Sequence, residues 1–269
     1  MNFHSDEWIM QNVQEHYNEA LEHFPEDRIV GIFYQGSGNY GLDYEGSDVD
    51  TKLIVTPTFE DIAMNKKAVS TTHIRENEEH IDFKDIRLYI HTFRKQNLNF
   101  LEILFTKYAI INPIYKAEWD RLVEAREEIA HYSPVQAIKS MRGIAKEKYF
   151  AMEHHYPARM AWIEKFGYDP KQFHHLWRVE EYISRYINGE PYEDCLISKQ
   201  PELLQSAKIG HWTLGDARWM AKCSIDRIDE MCDAYLKTCP TEVDKNVDAL
   251  LDDVQYNIMK IAIKKEIGD

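Results

Sequence analysis

Apolar positions in the first third of the chain switch between two periods. Ile9, Met10, Val13, Tyr17, Ala20 and Leu21 recur at helical spacing, which predicts an amphipathic helix over 6–23, ended by Pro25. The next apolar run is continuous, from Ile29 to Tyr34, and stops at Gly36-Ser37, which predicts a buried strand over 29–35. A second run, Leu53-Ile54-Val55, predicts a strand over 49–56, closed by Pro57. Shorter strand-like stretches cover 71–74 and 80–83. Helical patterns cover 59–67, 85–96 and 100–108, while 110–114 is a short apolar stretch whose type Pro113 leaves open. From about Ala117 the pattern is helical. Ser133-Pro134 and Asp169-Pro170 each place a capping side chain before a proline at the first helical position. Asn188-Gly189, followed by Pro191, is a stop, and Gly215-Asp216 and Thr241 are read as opening the last two helices. The class expected is α+β: a small mixed sheet with flanking helices over 1–115, then an all-helical domain over 116–269.

Between the first two strands the chain turns polar and glycine-bearing, from Gly36 to Asp50. Gly36, Gly38 and Gly41 lie within six positions, so the backbone here can approach a ligand closely. The segment ends Ser47-Asp48-Val49-Asp50. In an extended chain Asp48 and Asp50 point the same way, and two carboxylates side by side need a positive partner. A hard divalent cation with oxygen ligands, Mg²⁺ or Mn²⁺, fits best; Mg²⁺ keeps several waters and takes its other ligands from carboxylates and substrate phosphates. Backbone N–H groups at Gly36-Ser37 would meet the same phosphates. The spacing is neither that of a P-loop, whose Gly-Lys-Ser/Thr ending is absent, nor that of a Rossmann turn. The plain alternative is a surface turn with two ordinary acids.

Gly36-Ser37, a spacer, then Ser47-Asp48-Val49-Asp50 resembles the nucleotidyltransferase superfamily typified by DNA polymerase β. That resemblance implies a third carboxylate on a later strand, assigned to Asp82 with Asp85 as the fallback. It extends to the minimal predicted nucleotidyltransferases of bacteria and phages, some encoded beside RNA ligases, through Asn97-Leu98-Asn99-Phe100-Leu101-Glu102 and through Gly167-Tyr168-Asp169-Pro170-Lys171 with His174. The middle proline of the first of these motifs is missing. The resemblance covers residues 28–188. It implies a nucleotidyltransferase core that moves a nucleoside monophosphate from an NTP, ATP or CTP first, to an acceptor hydroxyl such as an RNA or tRNA end, with pyrophosphate released. Asp48, Asp50 and Asp82 would be the catalytic, metal-holding acids. Gly36, Ser37 and Ser47 would lie at the nucleotide. Lys171, His174 and Arg178 share a helix face with His175, at i, i+3, i+4 and i+7, and would meet phosphates; the alternative is a solvated face with histidines partly packed.

A net charge of −14 argues against a broad, non-specific grip on nucleic acid. The balance reverses locally: from His131 to Arg178 there are eight Lys/Arg against four acids. Lys139, Arg142 and Lys146 on that stretch are read as a solvated face, and Trp162, Trp177, Trp212 and Trp219 as core. Four cysteines show no zinc spacing, no secretion signal is read at the N-terminus, and no apolar stretch approaches 18 residues, so a reduced cytoplasmic setting without membrane contact is expected. The amphipathic last helix is read as domain packing or a homodimer contact. Two other classes stay open: a non-catalytic nucleotide-binding adaptor, and a toxin–antitoxin or defence partner whose helical part binds protein.

Overall fold

The computed structural model describes residues 3–268. The chain forms two compact units: the residues up to Ser133 together with those from Glu242 onward, and Pro134–Thr241.

The first unit is a five-stranded mixed sheet with helices. Helix α1 (Asp6–Ala20) begins where the Ser5 side chain accepts the Trp8 N–H, with Asp6 and Glu7 favourably placed in its first turn. Strands β1 (Ile29–Gln35) and β2 (Asp50–Val55) follow, then α2 (Phe59–Ala63), β3 (Ser70–Ile74) and β4 (His80–Asp85). Helices α3 (Ile86–Arg94) and α4 (Leu98–Leu101), strand β5 (Ala109–Ile111), and helices α5 (Lys116–Glu124) and α6 (Arg126–Ala130) come next. The strand order is β3-β4-β2-β1-β5, and only β2 and β4 run parallel. That pair brings the N-terminal ends of β2 and β4, Asp50 and His80, to the same end of the sheet.

Alternation along the strands decides what each face carries. Ile32, Tyr34, Leu53, Val55, Ile81 and Phe83 pack against Ile9, Val13, Tyr17 and Ala20 of α1. The opposite face carries Phe33, whose ring lies 4.4 Å from that of Trp119 in α5. With both faces covered, β1 is buried almost throughout, as its uninterrupted apolar run requires.

Residues 116–133 and the closing helix, Lys245–Ile267, therefore belong with the sheet, although the boundary read from the sequence lay near 115. Arg94 of α3 binds Asp248 at 2.7 Å and Asp252 at 2.6 Å, Arg121 of α5 binds Asp253 at 2.7 Å, and Glu266 accepts the Phe59 N–H at 2.7 Å. The closing helix opens at Asp244, whose side chain accepts the Asn246 and Val247 N–H groups, and not at Thr241. The helix expected over 100–108 is cut short. Asn97 caps a start at Leu98, and Tyr34 donates its N–H to the Tyr108 carbonyl, which draws the chain into the sheet before β5.

The second unit is helical: α7 (Pro134–Ala151), α8 (Met160–Phe166), α9 (Pro170–Ile187), α10 (Tyr192–Leu196), α11 (Pro201–Lys208) and α12 (Leu214–Tyr235). Helix α9 is its centre, burying Phe173, Leu176, Val179, Tyr182, Ile183 and Tyr186 among α7, α10, α11 and α12. The basic stripe on α7 is not simply solvated. Arg142 binds Asp229 at 2.5 Å and Asp233 at 2.7 Å, and Lys146 binds Asp229 at 3.0 Å, so acids of α12 neutralise it. All four cysteines are free thiols, and no described helix is long and apolar enough to cross a membrane.

Candidate functional site

The parallel register of β2 and β4 sets the geometry. Thr51 pairs with Ile81 and Lys52 with Asp82, while Asp50 Oδ1 accepts the His80 N–H at 2.9 Å and lies 3.1 Å from the His80 ring Nδ1. Leu53, Ile81 and Phe83 point to α1, so Asp50, Lys52, His80 and Asp82 share the opposite face. A strand spacing of about 4.8 Å and a two-residue rise of about 6.6 Å put Asp50 and Asp82 about 8 Å apart at Cα, close enough for both carboxylates to face one ligand. Asp85 does not join them. It pairs with Val55 on the α1 side, is buried, and caps α3 by accepting the Arg87 N–H while binding the Arg87 guanidinium at 2.6 Å.

Asp48 lies two residues before β2, on an exposed loop. Between Asp48 and Asp50, the Val49 N–H donates to Glu79 Oε1 at 3.2 Å. Glu79 also binds His16 at 3.0 Å, Arg75 at 2.6 Å and the Asn77 amide at 2.7 Å, and His16 reaches the Thr51 hydroxyl at 2.9 Å. Burial works to raise the Glu79 carboxyl, but these hydrogen bonds outweigh it and hold the pKa down at about 2. The acid-bearing segment is thus tied from behind to α1 and to the residue preceding His80.

The glycine turn is shaped by Tyr34. Gly36 has φ 152° and ψ −176°, a backbone region close to glycine-only, and a Cβ there would lie 2.8 Å from the Tyr34 hydroxyl. That hydroxyl accepts the Gly38 N–H at 3.1 Å, and Asn39 reaches from the same turn to the Tyr34 carbonyl and accepts from the Thr106 hydroxyl. The Ser37 and Ser47 hydroxyls are 3.3 Å apart, which joins the turn to the loop that carries Asp48. Ser47 Oγ also accepts the Tyr44 N–H at 2.9 Å.

Lys52 is the residue that reading the chain missed. It is only 3% exposed, its Nζ lies 3.3 Å from Asp82 Oδ2, and its ammonium sits 4.4 Å from the centre of the Phe100 ring. Burial lowers its pKa, opposed by the charges of Asp82 and Asp50. Lys84 approaches the same ring at 4.6 Å, and the Thr72 hydroxyl donates to Asp82 Oδ1 at 2.6 Å. The signal was present as polar residues at period two, 50 and 52 on one strand and 80, 82 and 84 on another. Phe100, in the short helix that Asn97 caps, brings its ring to Lys52 and Lys84 on this face.

Lys171, His174 and Arg178 belong to the second unit. There the Gly-Tyr-Asp stretch has a structural task. Gly167 ends α8 at φ 80°, Tyr168 is buried with its hydroxyl on the Trp212 carbonyl, and Asp169 caps α9 while Arg159 grips both its oxygens at 2.8 and 2.9 Å. Lys171 is exposed and Arg178 half-buried. His174 faces inward: its Nδ1 donates to the Leu204 carbonyl at 2.8 Å, and burial takes its pKa down to about 3, so the ring is neutral and fixes α11 to α9. The four-residue stripe is therefore not one open phosphate-facing surface. The second unit also has a groove of about 640 Å³, floored by Trp177, Leu203, Leu204, Met220 and Met231, which none of Lys171, His174 and Arg178 lines. Trp219, expected in the core, is 70% exposed at its edge.

Among the described residues no three His, Cys, Asp or Glu side chains are gathered to hold a metal. The donors on the sheet face are nonetheless hard oxygens, the carboxylates of Asp50 and Asp82 and the hydroxyl of Thr72, which suit Mg²⁺ or Mn²⁺ and not softer metals. No protein-family model and no curated protein sequence matches this chain.

Proposed function

We propose that the first unit is a metal-dependent nucleotidyltransferase with its nucleotide tail at the Gly36–Ser37 turn and its reacting phosphate above β2 and β4. One observation carries the reading: Asp50 and Asp82, far apart in sequence, share one face of a parallel strand pair whose preceding loop is bonded to the glycine turn through Ser37 and Ser47. Asp48 and Asp50 would hold the ion, which when bound neutralises the triphosphate and polarises its phosphoryl oxygens. The Gly36–Ser37 turn would orient the β- and γ-phosphates. The acceptor oxygen attacks the α-phosphorus, the bond from that phosphorus to the leaving oxygen breaks, pyrophosphate departs with the electron pair, and the hydroxyl proton goes to water. Holding the two reactants in line and offsetting charge supplies the acceleration. The acceptor is sought first among RNA ends.

The test is label transfer. The protein is incubated with Mg²⁺ or Mn²⁺, total cellular RNA and protein, and each of four NTPs labelled at the α-phosphate. Label is expected on one class of acceptor, from one or two of the NTPs, and none when EDTA is added. Labelled NTP bound tightly with no pyrophosphate released would instead make the protein a nucleotide-binding adaptor.

A further inference from the structure

The sheet face carries built-in positive charge beside Asp82. Both oxygens of Asp82 are engaged, Oδ2 by Lys52 Nζ at 3.3 Å and Oδ1 by the Thr72 hydroxyl at 2.6 Å. Lys52 is 3% exposed, with its ammonium 4.4 Å from the centre of the Phe100 ring. Lys84 adds a second ammonium over the same ring.

The ammonium of Lys52 already holds the carboxylate that a second ion would have to coordinate, and that ion would sit beside the like charges of Lys52 and Lys84.

We propose that this site takes one divalent ion, on Asp48 and Asp50, and that the Lys52 ammonium, paired with Asp82 and seated on Phe100, stands where a second ion would lie. The proposal rests on the reading of this face as a triphosphate site. Lys52 would supply fixed positive charge close to the reacting phosphate. Asp82 then positions Lys52 and does not ligate metal.

Counting bound Mn²⁺ by equilibrium dialysis, with inorganic tripolyphosphate as a base-independent stand-in for the nucleotide tail, tests this. The intact chain is expected to bind one Mn²⁺, and Lys52→Met, which frees Asp82, two. Two Mn²⁺ on the intact chain overturns the proposal while leaving the triphosphate site standing. None on the intact chain overturns both. One on a folded Lys52→Met chain overturns the proposal as well. If Lys52→Met does not fold, Asp82→Asn decides: a Mn²⁺ affinity that falls by less than about tenfold supports the ammonium, and a loss of about tenfold or more, the scale on which metal-site partners act, shows Asp82 to be a ligand and overturns the proposal.

Discussion

Replacing Asp50 by Asn is expected to lower label transfer by at least about 100-fold while leaving the chain folded, the loss typical of removing one preorganised group aimed at developing charge. Asp50 begins β2 and is half-exposed, and the amide oxygen of Asn can still accept the His80 N–H. The change in stability should therefore stay within about 1 kcal/mol. Asp85→Asn provides the contrast. It lies on the α1 face as the cap of α3 and the partner of Arg87, so it should cost about 1–2 kcal/mol of stability and leave the transfer rate per folded molecule unchanged. Rates from labelled NTP and urea unfolding on the two variants separate the roles. Full activity in Asp50→Asn, or loss only in Asp85→Asn, would place the chemistry elsewhere.

The second large effect is on stability and its pH dependence. Glu79 has a folded pKa of about 2 against an ordinary 4.5, despite its burial, because His16, Asn77, the Val49 N–H and Arg75 all favour the carboxylate. A depressed carboxyl contributes stability above its unfolded pKa and loses it as pH falls toward the folded value. At 1.36 kcal/mol for each unit, this amounts to about 3 kcal/mol at neutral pH. Glu79→Gln is expected to unfold more easily by about that amount at pH 7. The gap between the two chains should narrow below about pH 4.5 and close near pH 2. Urea unfolding across this range checks it, and a gap of constant size would mean that the carboxylate charge is not what stabilises the network. Because the Val49 N–H is one of its ligands, the variant should also loosen the Asp48–Asp50 segment.

What was legible in the chain was local. β1 was bounded correctly because an apolar run ended at Gly36-Ser37, and β2, read as 49–56 and found at 50–55, came within one residue at each end because Pro57 closed it. The caps at Asp169 and the proline starts of α7 and α9 were readable because a cap is a contact between near neighbours. Facing was harder. The α9 stripe was correctly placed on one side of a helix, but spacing does not reveal what that side meets, and His174 meets a carbonyl 30 residues away. The α7 cations likewise met acids near residue 230. The choice between Asp82 and Asp85 could have been made from parity alone, since Ile81 and Phe83 are apolar and Asp85 shares their side. The salt bridge between Lys52 and Asp82 needed the register of two strands separated by α2 and β3, which is a tertiary fact.

The most direct measurement is the anomalous scattering of crystals soaked in Mn²⁺ and tripolyphosphate. The expected result is a peak within coordination distance of the Asp48 and Asp50 carboxylates, with polyphosphate density running from it toward the Gly36–Ser37 turn. A chain that binds neither, or a Mn²⁺ peak away from that sheet face with polyphosphate elsewhere, would contradict the assignment of the site.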